Sequence, residues 1–581
     1  MNPYLTIAAL WLGACASTLV LADPPPPADN QPAPAPAEQS PAEAPSVPSK
    51  PELTADLIYD VLVGEVATQR DDERMAFTHY LHAARLARDP ELAALAARAA
   101  LALGDAEAGQ RAVDLWQELA PDSVKARQIA AYVQIEAGDR DAALAALREL
   151  VQLTPPPKQP YMQAAQLLAR VEQPAERLAM MQALIAERAD DPDAQFALAT
   201  LAAAADDSAL AREAAEKAAA LRPGWNEPRM FLVQLLVSDG ENDAAAELLD
   251  RYLAEAPDDK ELKLLRAQLY IDAEAYAPAL ALFDELLKSH PKEPDILFTA
   301  AVLALEVGKL DEARDYLIRL KDQGQREDEV AFLLGQVEER AGNRDAALGW
   351  YARVDGPNAT DAAVHMARLH AAAGDIKRAR DMLQQLRDQL PEETTTLYLI
   401  EGEMLRANGA EDQAMAVYDH ALEANPDDPD LRYARAMAAV AMDRVDLLES
   451  DLRYILKRDP DHADALNALG YTLADRTDRL EEARRLIEKA LALKPDEPAI
   501  KDSMGWVLYR QGDAAAAEPF LRDALDTVFD PEIAAHLGEV LWALGRQGEA
   551  REVWDRALKA EPEHEYLLRI LGKHRYSQTP N

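Results

Sequence analysis

The chain of 581 residues has a single cysteine, Cys15, so it can form neither an intrachain disulfide nor a thiolate metal cluster. Aromatic residues make up only 6% and there are 23 glycines, a poverty that with heavy Ala, Leu, Glu and Arg usage speaks against an all-β protein. Basic residues are also short, 61 against 103 acidic ones, leaving a formal charge of −42. No Lys/Arg cluster interrupts that field, which repels phosphate backbones, so nucleic acid is not an expected partner. The same field favours encounter with basic proteins and equally serves solubility. Signatures of chemistry are missing too: there is no HExxH, nucleophile elbow, phosphate-binding loop, dinucleotide fingerprint or calcium loop. His79 and His82 share a helix face, as do His365 and His370, but neither pair has a third ligand in its own repeat, so no metal or cofactor is expected. Acidic pairs such as Asp71-Asp72 and Asp427-Asp428 fall where carboxylates cap helices. With 49% hydrophobic residues, what remains is an ordered, mostly helical, acidic protein that is not expected to be an enzyme.

Residues 1–22 read as an export signal, since the apolar stretch from Tyr4 to Ala22 is too short for a comfortable membrane span. Two cleavage sites compete. Leu12-Gly13-Ala14-Cys15 has the shape of a lipobox that would lipidate Cys15, whereas Val20-Leu21-Ala22 suits ordinary cleavage before Asp23. Residues 23–51 hold 11 prolines in 29 positions with no glycine or aromatic, and are expected to be a disordered, extended tether.

From Glu52 to Pro562 the chain repeats in one register. A small residue is followed by Gly seven later, Ala twelve later, an aromatic or Leu sixteen later, Ala or Leu nineteen later and often Pro twenty-four later. Gly402, Gly409, Ala414, Tyr418, Ala421 and Pro426 show every element, and so do Gly538, Gly545, Ala550, Trp554, Ala557 and Pro562. This resembles the tetratricopeptide pattern of about 34 residues, each unit two helices joined by a tight turn. The small residue lets the helices approach, the Gly permits the turn, the ring fills the gap, and Pro ends the unit. The spacing predicts an all-α superhelical solenoid of about fourteen units over residues 52–562, with a capping helix and tail at 563–581. Units near Leu92 to Pro121 and Pro160 to Asp191 are degenerate, Pro155-Pro156-Pro157 marks the expected bend, and an extra residue near Gly470 should be absorbed at Asp475 to Asp478.

Solenoids of this kind bind extended peptides or domains on a concave face. Phe196, Met230, Phe298, Phe332 and Tyr433 lie three before the small residue, while Tyr471, Trp506, Tyr509 and Trp542 follow it on the same helices. Several of these nine are expected to be exposed for partner binding, although each could instead pack on the neighbouring repeat. A second candidate surface is the first helix, where Leu53, Leu57, Ile58, Val61 and Leu62 spread over more than one stripe although a terminal repeat should turn a polar face outward. Half must pack inward; the remainder is expected either to dock a partner or to be buried by self-packing.

The stretches from Ala465 to Arg476 and from Asp502 to Gly512 resemble the C-terminal repeats of a family of long Gram-negative tetratricopeptide lipoproteins. With the signal and the Pro-rich tether, the chain is similar to those that serve as lipoprotein binding partners of the carboxyl-terminal processing protease. The resemblance implies a non-enzymatic adaptor of the outer membrane, facing the periplasm, that activates the protease and presents peptidoglycan cross-link hydrolases as substrates. The partner docked on the first helix would then be the protease, while the concave face holds substrate. No catalytic residue is carried over. The ambiguous lipobox departs from the pattern and leaves a soluble periplasmic form open. A scaffold for envelope synthases or secretion components, without any protease, is the alternative function.

Overall fold

The computed structural model describes residues 53–154 and 159–574; the export signal with Cys15, the tether, the triple proline and the tail beyond His574 lie outside the described residues. Among the described residues every regular element is helical. Fifteen consecutive helix pairs run from Ala55–Thr68 with Glu73–Ala87 to Pro531–Ala543 with Gln547–Ala560, and a single helix, Glu565–Lys573, follows them. This is a tetratricopeptide-repeat solenoid. It holds one pair more than the sequence count, and the two degenerate units are complete pairs, Pro90–Ala102 with Ala106–Leu119 and Pro160–Leu168 with Pro174–Ile185.

The sequence makes these boundaries for local reasons. First helices commonly open with an acidic N-cap and Pro at the first turn, as at Asp191-Pro192, Asp428-Pro429 and Asp530-Pro531, whose carboxylates accept from backbone N–H groups the helix cannot satisfy itself. Part of the acidic excess is thus spent on caps. The turn between paired helices needs one left-handed residue, supplied by Gly409 (φ 69°) or Gly545 (φ 80°) in some repeats. Where glycine is missing, Asp206, Glu274 and Asp443 adopt the same conformation at φ 56–57°. In the repeat around Gly470 the extra residue keeps Asp475 and Arg476 helical and moves the turn to Thr477–Arg479, rather than starting it at Asp475.

Within a pair the core is a volume match. A Cβ on Gly64 would come within 2.8 Å of the Tyr80 ring, and one on Gly335, Gly402 or Gly538 would overlap Tyr351, Tyr418 or Trp554. These rings are buried, Trp554 completely.

The chain divides into two compact units, residues 1–325 and 326–581, the division falling beside Gly324 and Arg326, both of positive φ. Inside each unit the first helices form one layer and the second helices another. First helices of neighbouring repeats pack directly on each other, as between Pro160–Leu168 and Pro192–Ala203 or between Ala463–Arg476 and Pro498–Arg510.

Candidate partner-binding surfaces

At the N-terminal end the helix Ala55–Thr68 is capped by Thr54, whose hydroxyl accepts from Leu57 N–H at 3.2 Å. Leu57, Gly64 and Ala67 bury one side against Glu73–Ala87. A polar anchor sits in the same seam: the buried Asp60 carboxylate accepts from His79 Nδ1 at 2.7 Å and His82 Nδ1 at 2.6 Å. Burial alone would raise its pKa, but the two imidazole hydrogen bonds and their charge outweigh burial and hold the carboxyl below its usual range. The opposite side stays in water. Leu53 is 79%, Tyr59 61% and Leu62 60% exposed, and Ile58 and Val66 are exposed as well. Of the five apolar residues singled out in sequence, Leu53, Ile58 and Leu62 are therefore exposed, Val61 is half-buried and Leu57 is core. Tyr59, Val66 and Met75 were missed. Tyr59, Leu62 and Val66 fall at helical spacing, and with Val63 and Met75 they line an open groove of about 420 Å³.

The nine inner-face residues require a correction. Phe196, Phe298, Phe332 and Trp506 are buried, and Met230, Tyr433, Tyr471, Tyr509 and Trp542 are half-buried; none is exposed. The close approach of neighbouring first helices is the reason, because a ring at these positions lies in the seam between two repeats. Phe196 meets Trp225 and Phe231 edge-on at 5.0 and 5.7 Å. Phe332 contacts His365 of the next repeat at 5.8 Å, and Tyr433 stacks on His462 at 6.2 Å. Trp542 stacks on Trp554 at 5.7 Å and packs on His574 at 5.1 Å.

At the C-terminal end this seam becomes a polar lock. His536 is fully buried, stacked on Trp506 at 4.1 Å, with Nδ1 at 2.9 Å from an Asp502 oxygen and Nε2 at 2.7 Å from Tyr566 Oη. Burial opposes its charge, yet the charge and hydrogen bond of Asp502, helped by Glu532 and Asp475, raise the imidazole pKa above its ordinary value. Tyr471 donates to Glu532 at 2.6 Å, linking first helices two repeats apart, and burial with that carboxylate raises the phenol pKa. Glu539, buried, accepts from Lys573 Nζ at 2.6 Å and lies 3.0 Å from His574 Nε2. The final helix is tied down by these contacts and by Leu567, Ile570 and Leu571, all buried. Sequence inspection found none of these pairs, whose partners lie one or two repeats apart.

No group of three or more His, Cys, Asp or Glu side chains among the described residues is arranged to hold a metal. Likewise, no helix among them is long and apolar enough to cross a membrane. The surfaces that remain belong to a helical-repeat scaffold for protein partners.

Two tetratricopeptide repeat models match the chain, one over residues 270–337 and the other over 232–294, 365–429, 433–498 and 503–565. Together they cover half of it, and the chain belongs to the tetratricopeptide repeat family. TPR repeat-containing protein PA4667 of Pseudomonas aeruginosa is 44% identical over 213 residues, 36% of each chain. Tetratricopeptide repeat protein 7A of Homo sapiens is 38% identical over 90 residues, 15% of this chain and 10% of that one. The chain thus spans about a third and a tenth of these relatives' lengths. Among solved structures, a thermophilic TPR protein of Thermus thermophilus is 25% identical, covering 31% of this chain and 97% of its own with a TM-score of 0.28.

Proposed function

We propose that the protein is a non-enzymatic adaptor, anchored through Cys15 to the outer membrane and facing the periplasm, that binds and activates a carboxyl-terminal processing serine protease and presents peptidoglycan cross-link hydrolases to it. The observation that carries this reading is the uncovered apolar side of the first helix. Tetratricopeptide arrays act through protein partners, and Ile58, Tyr59, Leu62 and Val66 share one exposed side of this helix, with Leu53 exposed just before it, where a terminal repeat would otherwise be polar. The protease docks there, and the inner face of the repeats holds substrate. The export-signal sequence and the resemblance of the closing repeats support an envelope location for both partners.

The test is affinity capture of the membrane-extracted protein from its native cell, with mass spectrometry, followed by an assay of the captured protease with and without the adaptor. Co-purification of a periplasmic serine protease together with cell-wall hydrolases, and faster hydrolase degradation in the presence of the adaptor, are expected. Synthases or secretion subunits without a protease would instead establish the scaffold function.

A further inference from the structure

In the second unit the second helix Ile376–Gln389 opens against the usual pattern. Second helices commonly carry an acid in the first turn, as Glu107, Asp243, Glu411 and Glu481 do, because the helix dipole is positive there. This one has no acid in its first turn and places Lys377, Arg378 and Arg380 at that end. Cations there work against the dipole, and a local rule broken without a structural return points to function. Lys377 and Arg380 line an open groove of about 510 Å³ together with Arg387 of the same helix, the carboxylates Asp381 and Glu401, and Gln413 of the next second helix, Glu411–Ala424. Three cations thus face two carboxylates, a local positive surplus in a chain of formal charge −42. The floor is a buried ion pair. Glu401 is 1% exposed, with one oxygen 2.6 Å from Arg387 Nη1 and the other accepting from Arg380 Nε at 2.7 Å. Arg387, also buried, lies over the Tyr398 ring at 4.2 Å and donates to Gln384 at 2.9 Å, while its sheltered Nε has no acceptor among the described residues. Glu401 takes only the Nε of Arg380 and so leaves both terminal amino groups of that guanidinium without a protein acceptor among the described residues. The Lys377 ammonium and the Gln413 amide, both exposed in the groove, have no such partner either.

We infer that this groove in the second-helix layer is a binding site for a small free oxyanion, a phosphate or a short carboxylic acid. Arg380 offers a planar fork, Lys377 a mobile point charge and Gln413 a neutral donor from the opposite wall, a set that a compact group with several acceptor oxygens satisfies. Glu401 is a positioning residue: it holds Arg380 by its Nε and is itself neutralised by Arg387. Asp381 opposes the bound charge, so its removal strengthens binding. The polar lining and open mouth suit an ion that keeps part of its hydration, unlike the apolar pockets that take larger organic ligands. Because the two walls belong to successive repeats, an anion held between Ile376–Gln389 and Glu411–Ala424 ties those repeats together, and opening either one first releases it. At ten times the dissociation constant, linkage lowers the opened population about tenfold. The site lies apart from the first helix and from the inner face assigned to protein partners, and does not rest on that assignment.

The probes are inorganic phosphate and glutarate, each titrated calorimetrically into the full chain at neutral pH, with chloride holding the ionic strength constant. Saturable binding of at least one of them is expected, and the ratio of the two affinities identifies which group the site carries. Lys377→Gln should weaken binding about fivefold and Gln413→Ala about threefold, both at exposed positions that leave circular dichroism unchanged. Arg380→Lys, which keeps a charge beside Glu401 and loses the fork, should also weaken it about fivefold. Asp381→Asn should strengthen it about twofold. Lys559→Gln, the same charge change at an exposed position of the distant helix Gln547–Ala560, should leave it unchanged. In hydrogen exchange, phosphate at ten times its dissociation constant should slow Ile376–Gln389 and Glu411–Ala424 about tenfold and leave Ala55–Thr68 unaffected. Absence of saturable binding by both anions, unchanged binding by Lys377→Gln, equal weakening by Lys559→Gln, or slowed exchange spread evenly along the chain would each overturn the site.

Discussion

The first and last repeats solve the problem of a solenoid end in opposite ways. At the C-terminal end an added helix covers Pro531–Ala543, its Tyr566 and Lys573 reaching the buried His536 and Glu539. At the N-terminal end the first helix buries Leu57 and Ala67 and leaves Tyr59, Leu62 and Val66 to solvent. Both ends contain a buried carboxylate paired with histidine, Asp502 in one and Asp60 in the other, so polarity alone does not distinguish them. What differs, among the described residues, is whether a further helix covers the apolar side. Among the described residues one end is finished by its own chain, and the other leaves its apolar side open, the side we propose as the docking surface.

The largest test of the sealed end is Trp554→Ala. The side chain is fully buried against Gly538, and its removal is expected to cost about 3–5 kcal/mol, read by hydrogen exchange as loss of protection confined to the last repeats. Protection lost equally in residues 55–87 would show that the two ends are not independent.

Next comes Asp502→Ala, which strands His536 without its anion at an expected cost of about 3 kcal/mol in the same exchange measurement. Because the imidazole pKa is raised in the folded protein, its contribution is fully present below the ordinary value of 6.5 and is lost as pH rises through the raised one. Protection around Tyr566 should therefore weaken towards alkaline pH in the parent protein and lose that dependence in the variant.

Asp60→Ala should act more weakly, about 1 kcal/mol, since His82 is largely exposed and recovers water when its partner goes. Its pH window is the reverse. The carboxyl pKa is lowered, so its stabilisation is present above 3.8 and is lost as pH falls through the lowered value, loosening Ala55–Thr68 in acid. Thermal melts of the variant at pH 3 and pH 7 check this: the difference from the parent should shrink towards the acid end.

The smallest stability effect, within about 0.5 kcal/mol, is expected for Leu62→Glu at the open end, where the side chain already meets water. The same change should weaken protease activation at least tenfold. Full activation by a folded Leu62→Glu protein would mean that the open side is not the docking surface.

The repeat architecture was legible because its determinants lie inside one unit: a small residue and the ring sixteen positions on are a volume pair that a single chain segment displays. Asp-Pro caps at Asp428-Pro429 and Asp530-Pro531 mark helix starts just as locally. The inner-face rings were misjudged because their burial depends on how closely successive first helices approach, a property of neighbouring units rather than of one. Trp506 is covered by His536, which lies a full repeat away. The surplus of apolar residues on the first helix could be read from its sequence, whereas the anchoring of His79 and His82 on Asp60 could not, since the carboxylate sits on the preceding helix among apolar neighbours. Turn residues such as Asp443, left-handed without being glycine, also escaped a search keyed to glycine.

The match between Gly538 and Trp554, or between Gly402 and Tyr418, also constrains how such a chain can change over time. A larger side chain at the first position is tolerated only if the second shrinks in the same lineage, and a lost ring leaves a hole unless its partner grows. Repeats with such a match therefore offer one coupled pair for compensated drift. Units that keep the combined volume can diverge, duplicate or be exchanged while the stack around them stays the same.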